Sequence, residues 1–284
     1  MARWLTYVKE RFPLPVYLLL TGGFVFSGLF LAGGSFQWKG FVVSFVGFLL
    51  FFFQLRLMDE LKDYDKDIVA HPDRPLPRGL LTTVEVGRTI KAIALAMTGY
   101  AALTAVLVNP TTGLAYLTIT VYLLLMYREF FAGAWLDERP LLYAISHQFI
   151  VFGVCIFAVA VTREQLALAV PTLWLGLVVV GSFLVYEVCR KLDPGAHPLL
   201  KTYLAVYGPV KTSLIVLGSS VLAGAGAAGL GLGQLLWPVE ALVVVSLIWL
   251  FTKPDKYKAV EALATLSLTV HLWAIVIRHL TGWP

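Results

Sequence analysis

Polar and apolar positions in this chain do not mix evenly; they segregate into blocks. Long apolar runs begin near Pro15 and recur to the C-terminus, broken by short charged stretches. As helices, such runs can cross a hydrocarbon core of about 30 Å. The pattern predicts nine spans, near residues 14–33, 41–58, 87–108, 111–127, 141–161, 171–188, 206–227, 234–252 and 260–280. Gly, Pro and β-branched residues inside them are compatible with helix, because in lipid the backbone groups bond within the segment. No small-residue cleavage site follows the first run, so it reads as a span and not as a signal peptide. No linker or low-complexity tract divides the chain. The expectation is therefore one all-α integral membrane domain over residues 1–284.

Composition agrees. Hydrophobic residues make up 59% and charged residues 14% of the chain, and the mean hydropathy is +0.81. A soluble domain of this length needs more polar surface. The net charge of +5 could suggest a nucleic-acid partner, but the basic residues lie in short loops between apolar runs. With the N-terminus in the cytoplasm, 19 of the Lys and Arg residues fall on the inner side, and only Lys39, Arg163 and Arg278 fall outside. That asymmetry sets the expected orientation, with an odd number of spans and no nucleic-acid role. Cys155 and Cys189 form no C-x-x-C pair and no metal-ligand spacing, so both are expected to be free thiols.

The acids are as uneven as the bases. Asp59, Glu60, Asp63, Asp65 and Asp67 occupy nine residues at the inner end of the second span. On a helix turning about 100° per residue, Asp59, Glu60, Asp63 and Asp67 share an arc of about 100° with Arg56, while Asp65 points away. Carboxylates stacked at i and i+4 repel one another. A hard cation such as Mg²⁺, which takes one or two carboxylates together with water and phosphate oxygens, removes that cost. The alternative is a solvated loop in which Asp and Lys neutralise each other.

This stretch, Asp59-Glu60-x-x-Asp63-x-x-x-Asp67 followed by Arg74-Pro75-Leu76-Pro77-Arg78-Gly79, resembles the N-D-x-x-D-x-x-x-D and R-P-L-P-x-G motifs of the UbiA superfamily of intramembrane prenyltransferases. Asp59 stands where that family has Asn, and Glu60 where it has the first Asp. Nine spans and an early R-x-P, Arg11 and Pro13, are similar too. The resemblance implies a helical bundle with a central cavity open to the cytoplasmic side. It implies Mg²⁺ held by Asp59, Glu60, Asp63, Asp67 and Glu187, with Asp63, Asp67 and Glu187 catalytic. Arg56, Arg74, Arg78, Arg190, Lys191, Lys201 and Tyr203 would bind substrate.

The family's second motif, D-x-x-x-D, is altered. Its counterpart runs Tyr186-Glu187-Val-Cys-Arg190-Lys191-Leu-Asp193-Pro194, with a cation four residues after Glu187. Either Glu187 and Lys191 form an interfacial ion pair of a few tenths of a kcal/mol, or Arg190 and Lys191 grip diphosphate oxygens in place of part of a metal site. Arg128, Glu129, Asp137, Glu138 and Arg139 form another inner loop, which either lies over the cavity or snorkels at the interface. His147, within the fifth span, is an acceptor-side base or a packing histidine. Lys253, Lys256 and Lys258 read as topology charges, and His271, Arg278 and His279 lie towards the outer end.

The activity implied is Mg²⁺-dependent transfer of a prenyl group from a prenyl diphosphate to an aromatic or other lipophilic acceptor. It would take place among membrane lipids, in the cytoplasmic membrane of a prokaryote, with the site facing the cytoplasm. A membrane terpene cyclase would use the same metal site without an acceptor. A transporter is a third reading, although the acids gather at one membrane face and no matched pair of broken helices is evident.

Overall fold

The structure is a computed structural model; it describes residues 2–282, which are helical with no strand among them. The helices are α1 (Ala2–Arg11), α2 (Leu14–Gly33), α3 (Trp38–Lys62), α4 (Tyr64–Ala70), α5 (Thr83–Leu107), α6 (Pro110–Tyr127), α7 (Gly133–Asp137), α8 (Pro140–Gln148), α9 (Ile150–Ala160), α10 (Val170–Cys189), α11 (Tyr203–Gly229), α12 (Gly233–Ser246), α13 (Trp249–Thr252) and α14 (Tyr257–Thr281). Among the described residues, nine segments are long and apolar enough to cross a membrane: α2, α3, α5, α6, α8 with α9, α10, α11, α12 with α13, and α14. They match the nine predicted spans to within a few residues, and the protein is an integral, multi-pass membrane protein.

The boundaries follow from capping chemistry. Pro sits in the first turn of α2, α6 and α10, where a missing N–H costs nothing. A reciprocal capping box of Thr82 and Glu85 opens α5. Gly34, at φ 67°, closes α2 in the left-handed conformation that glycine adopts freely.

Each span packs against the next in chain order, and α14 returns to pack on α2, so the nine spans close into a ring. Inside the ring α2 also meets α9, and α10 also meets α14. Lipid-soluble helices gain little from apolar burial alone and associate through close packing. Small residues provide it here. A Cβ on Gly226 of α11 would lie 2.6 Å from the backbone nitrogen of Val178, and one on Gly181 of α10 would lie 2.5 Å from that of Ala223. Side-chain hydrogen bonds add direction. The Ser27 hydroxyl donates to the Leu272 carbonyl at 2.6 Å, joining α2 to α14. His271, fully buried, lies 2.9 Å from Glu240 and joins α14 to α12.

Three spans are broken. Phe149 separates α8 from α9, and the Tyr122 hydroxyl donates to the Ser146 carbonyl beside the break, at 2.6 Å. Within α11, Gly208 has φ 69° just before Pro209. The buried Thr212 hydroxyl takes up the Tyr203 carbonyl there, at 3.1 Å, as a broken span in lipid requires. The third break lies between α12 and α13.

Candidate functional site at the charged end

The loops joining α4 to α5, α6 to α8, α10 to α11 and α13 to α14 lie at the same end of the ring as α1. The first acidic motif does not form one uninterrupted helix. α3 ends at Lys62, Asp63 caps it at φ −90° and ψ 0°, and α4 starts at Tyr64. The hydrogen bonds Asp63 N–H to Asp59 C=O and Asp67 N–H to Asp63 C=O persist through the junction, each shorter than 3.0 Å.

Arginines from elsewhere divide the four carboxylates into two sets. Glu60 is buried and bonded through Oε1 to Arg11 of α1, at 2.6 Å, and to Arg56. Asp67 is buried and receives Arg74 on both oxygens, at 2.6 and 2.7 Å. The R-P-L-P segment therefore supplies the counter-charge for the last acid of its own motif. Asp59 and Asp63 remain, one turn apart. Among the described residues neither has an ion-pair partner within 4.0 Å. Asp65 is exposed and outside both sets, as its helical angle predicts.

The second motif forms a tripod. Glu187 of α10 is buried; one oxygen receives Arg190 at 2.6 Å and the other receives Lys191 at 2.5 Å. Burial works against the Arg190 charge, but Glu187 and the more distant Asp59 raise the guanidinium above its ordinary range, so it stays a cation. The same coupling links α10 to the free carboxylate of α3. The buried ring of Tyr203 lies 6.0 Å from Lys191 Nζ, and its hydroxyl reaches the Pro140 carbonyl at 3.5 Å, so it braces Lys191 from below.

The remaining expected substrate-binding residues are spread out. Arg78 pairs with Glu10 at the rim, at 2.8 Å, and holds its carboxyl below the usual range. Lys201 and Lys66 both grip Asp137 of α7. Hydrogen bonds from Lys201 first, then Lys66, keep that carboxyl below its ordinary value. This loop thus lies over the acidic motif, tied to α4 on one side and to the α10–α11 connection on the other.

Two features carry no clear sequence signal. Glu129, Phe130 and Phe131 all have positive φ, between 50° and 58°. Left-handed backbone costs roughly 1–2 kcal/mol per such residue. Gly133 permits this turn: a Cβ there would lie 2.1 Å from Glu129 Oε2. The second feature is a contact between His147 and Lys62, at 3.2 Å. An aromatic series, Tyr17, Phe52, Phe24 and Phe183, joins α2, α3 and α10 with centroids 5.8 to 6.2 Å apart.

Whether these residues suit Mg²⁺ is decided by the donor set. Asp59 and Asp63 are two unpaired carboxylates at i and i+4. That is the number Mg²⁺ takes from a protein when phosphate and water complete its shell. A site made of protein ligands alone is not present: among the described residues no group of three or more His, Cys, Asp or Glu side chains is placed to hold a metal.

Among the described residues, nine spans close into a ring with carboxylates and cations gathered at one end. The sequence profile of the UbiA prenyltransferase family matches residues 21–275, and the chain belongs to that family. A solved structure of a digeranylgeranylglyceryl phosphate synthase shares the fold, with a TM-score of 0.66 over 98% of both chains at 15% sequence identity. No curated protein sequence matches.

Proposed function

We propose that this protein transfers a prenyl group from a prenyl diphosphate to a lipophilic acceptor, with the diphosphate held between α3 and α10. The observation that carries this reading is the pair of charge sets across that gap: unpaired Asp59 and Asp63 on one side, Arg190 and Lys191 presented by Glu187 on the other. Family membership supports prenyl transfer, and the likeness to the phosphate synthase supports the fold that performs it.

Asp59 and Asp63 would hold Mg²⁺, which when bound supplies positive charge to the leaving diphosphate. Arg190 and Lys191 donate hydrogen bonds to diphosphate oxygens as the C–O bond breaks and its electron pair departs with them. Glu187 orients both cations, a role that its two occupied oxygens favour over metal binding. Glu60 and Asp67, expected as ligands, act here as anchors for Arg11, Arg56 and Arg74. Tyr17, Phe24, Phe52 and Phe183 present π faces that shield an allylic cation from water. The acceptor's electron pair then closes the bond to C1, and a neutral acceptor gives up a proton to solvent as its product forms. The excess of Lys and Arg at this end supports an orientation with the site in the cytoplasm.

The test is incubation of purified protein with Mg²⁺ and a panel of prenyl diphosphates, with and without lipophilic acceptors, followed by product identification. Acceptor-dependent prenylated lipid is expected. Cyclised hydrocarbon formed without acceptor would replace transfer with cyclisation, and substrate flux in proteoliposomes without diphosphate release would indicate a transporter.

A further inference from the structure

The cations at the charged end of the bundle are not all engaged. Around the acidic motifs they meet carboxylates: Arg74 meets Asp67, Arg78 meets Glu10, and Lys201 meets Asp137. The turn from the eighth span into the ninth is different. Lys253, Lys256 and Lys258 are all exposed there, and among the described residues none has an ion-pair partner. Asp255, between them, is unpaired as well, and so is Glu261, the next acid along α14. The backbone forces the three lysines onto one rim. α13 ends at Thr252, Lys253 leaves helical geometry at φ −148°, Pro254 opens a single tight turn, and α14 starts at Tyr257. The Lys253 N–H donates to the Trp249 carbonyl at 2.8 Å and the Lys256 N–H to the Lys253 carbonyl at 2.9 Å, which fixes the turn. Lys256 Nζ stands 5.4 Å from the ring of Trp249, which holds an ammonium without neutralising it. Orientation of a span needs only that such charges be present. It does not need them clustered and unpaired. Other unpaired cations at this end lie apart from the rim, Lys9 on α1 and Arg88 and Lys91 on α5.

Apolar side chains continue from this rim along the surface of the bundle. Val245, Ile248 and Phe251 recur every third residue along α12 and α13 and are 52 to 68% exposed. The bond from Trp237 Nε1–H to the Gly224 carbonyl sets the register of α11 against α12. Counting inward equally along both helices, 224 to 210 and 237 to 251, puts the exposed Val210 level with Phe251. We propose that this rim binds an anionic phospholipid of the surrounding leaflet. Its phosphate would lie on Lys253, Lys256 and Lys258, and its acyl chains along Phe251, Ile248, Val245 and Val210. A lysine at headgroup depth favours anionic lipid by about fivefold. A zwitterionic lipid brings its own cation to the three ammonium groups and gains less from them. A soluble phosphate would meet the charges but leave the apolar face unused, whereas a phospholipid matches both. The rim stands outside the gap between α3 and α10, so the inference does not depend on the prenyl-transfer reading.

The test uses the full-length protein reconstituted in phosphatidylcholine vesicles. Phe251→Trp places a fluorescent reporter on the apolar face and leaves the lysines intact. The fluorescence it adds to wild type is quenched with phosphatidylglycerol or phosphatidylcholine brominated in the acyl chains, each supplied as a minor component. Quenching should show a preference of about threefold or more for phosphatidylglycerol. In the Phe251→Trp protein, Lys253→Gln, Lys256→Gln and Lys258→Gln together should bring that preference close to unity. The pair Lys253→Gln and Lys256→Gln should lower it in the same direction and serves if the triple variant does not reconstitute. Lys9→Gln, Arg88→Gln and Lys91→Gln together should leave it unchanged. A preference that survives loss of the rim lysines overturns the proposal. So does an equal loss in the second triple variant, because the net charge of the protein and not the rim would then attract the lipid. Inorganic phosphate, compared with chloride at equal ionic strength, should not release the brominated phosphatidylglycerol. Release would make the rim a site for soluble phosphate and overturn the lipid assignment.

Discussion

Asp59 and Asp63 are one helical turn apart and have no ion-pair partner within 4.0 Å among the described residues, whereas Glu60, through Oε1, and Asp67 are each paired with arginine. In the proposed function the four acids of the motif therefore have different tasks. Asp59→Asn and Asp63→Asn should each abolish turnover, and Asp65→Asn should be mild, in a Mg²⁺-dependent product assay. Asp67→Asn should instead appear first in stability, because Arg74 loses its buried counter-charge. Lys191→Ala should weaken prenyl diphosphate binding by about 1.5–3 kcal/mol, the scale of a hydrogen bond to a charged group. Lys191→Asp is the sharper variant. It restores the acid pair of the family motif, so a merely degraded metal site would gain Mg²⁺-dependent activity, while a phosphate clamp would become worse than with Ala. The acids and cations themselves were legible, because their spacing on a helix is local. Their pairing was not: Arg11 meets Glu60 across 49 residues of chain, and Lys62 meets His147 across 85. No helical angle contains that information.

At the scale of elements, hydropathy located every span, since length and apolar content are all that a crossing requires. It could not locate the junction at Asp63, nor the breaks at Phe149 and Gly208, where the Tyr122 and Thr212 hydroxyls take up backbone carbonyls. The contact of α10 with α11 depends on glycine, and α10 carries the tripod. Gly226→Ala should cost about 1–3 kcal/mol, as overpacking does. Thermal unfolding in detergent would register that cost, along with weaker pyrophosphate binding through displaced Glu187. Asp137 ties α7 to Lys66 and Lys201. Because its folded carboxyl lies below the ordinary value, its contribution is present above the unfolded value and lost as pH falls through the folded one. The stability difference between wild type and Asp137→Asn should be greatest near neutral pH and vanish in acid. It should also be small, since the side chain is 39% exposed.

For the molecule as a whole, an odd number of spans puts the two ends of the ring sequence on opposite faces, and the charge asymmetry supports the proposed orientation, with the acidic end in the cytoplasm. A cysteine introduced at Gly79, with nothing within 4 Å of its would-be Cβ, should be labelled by impermeant thiol reagents only after the inner face is opened. Labelling in sealed cells from outside would reverse the orientation. The closure of α14 on α2 has a consequence for how such a protein is made. The first span enters the bilayer early, yet the surface of Gly22 and Gly23 that fits Leu272 and Trp273 has no partner until the ninth is synthesised. Until then the nascent bundle is an open horseshoe with a small-residue groove facing lipid. Its biogenesis therefore depends on whatever occupies that groove during translation, whether acyl chains or an insertase helix, leaving as the last span arrives.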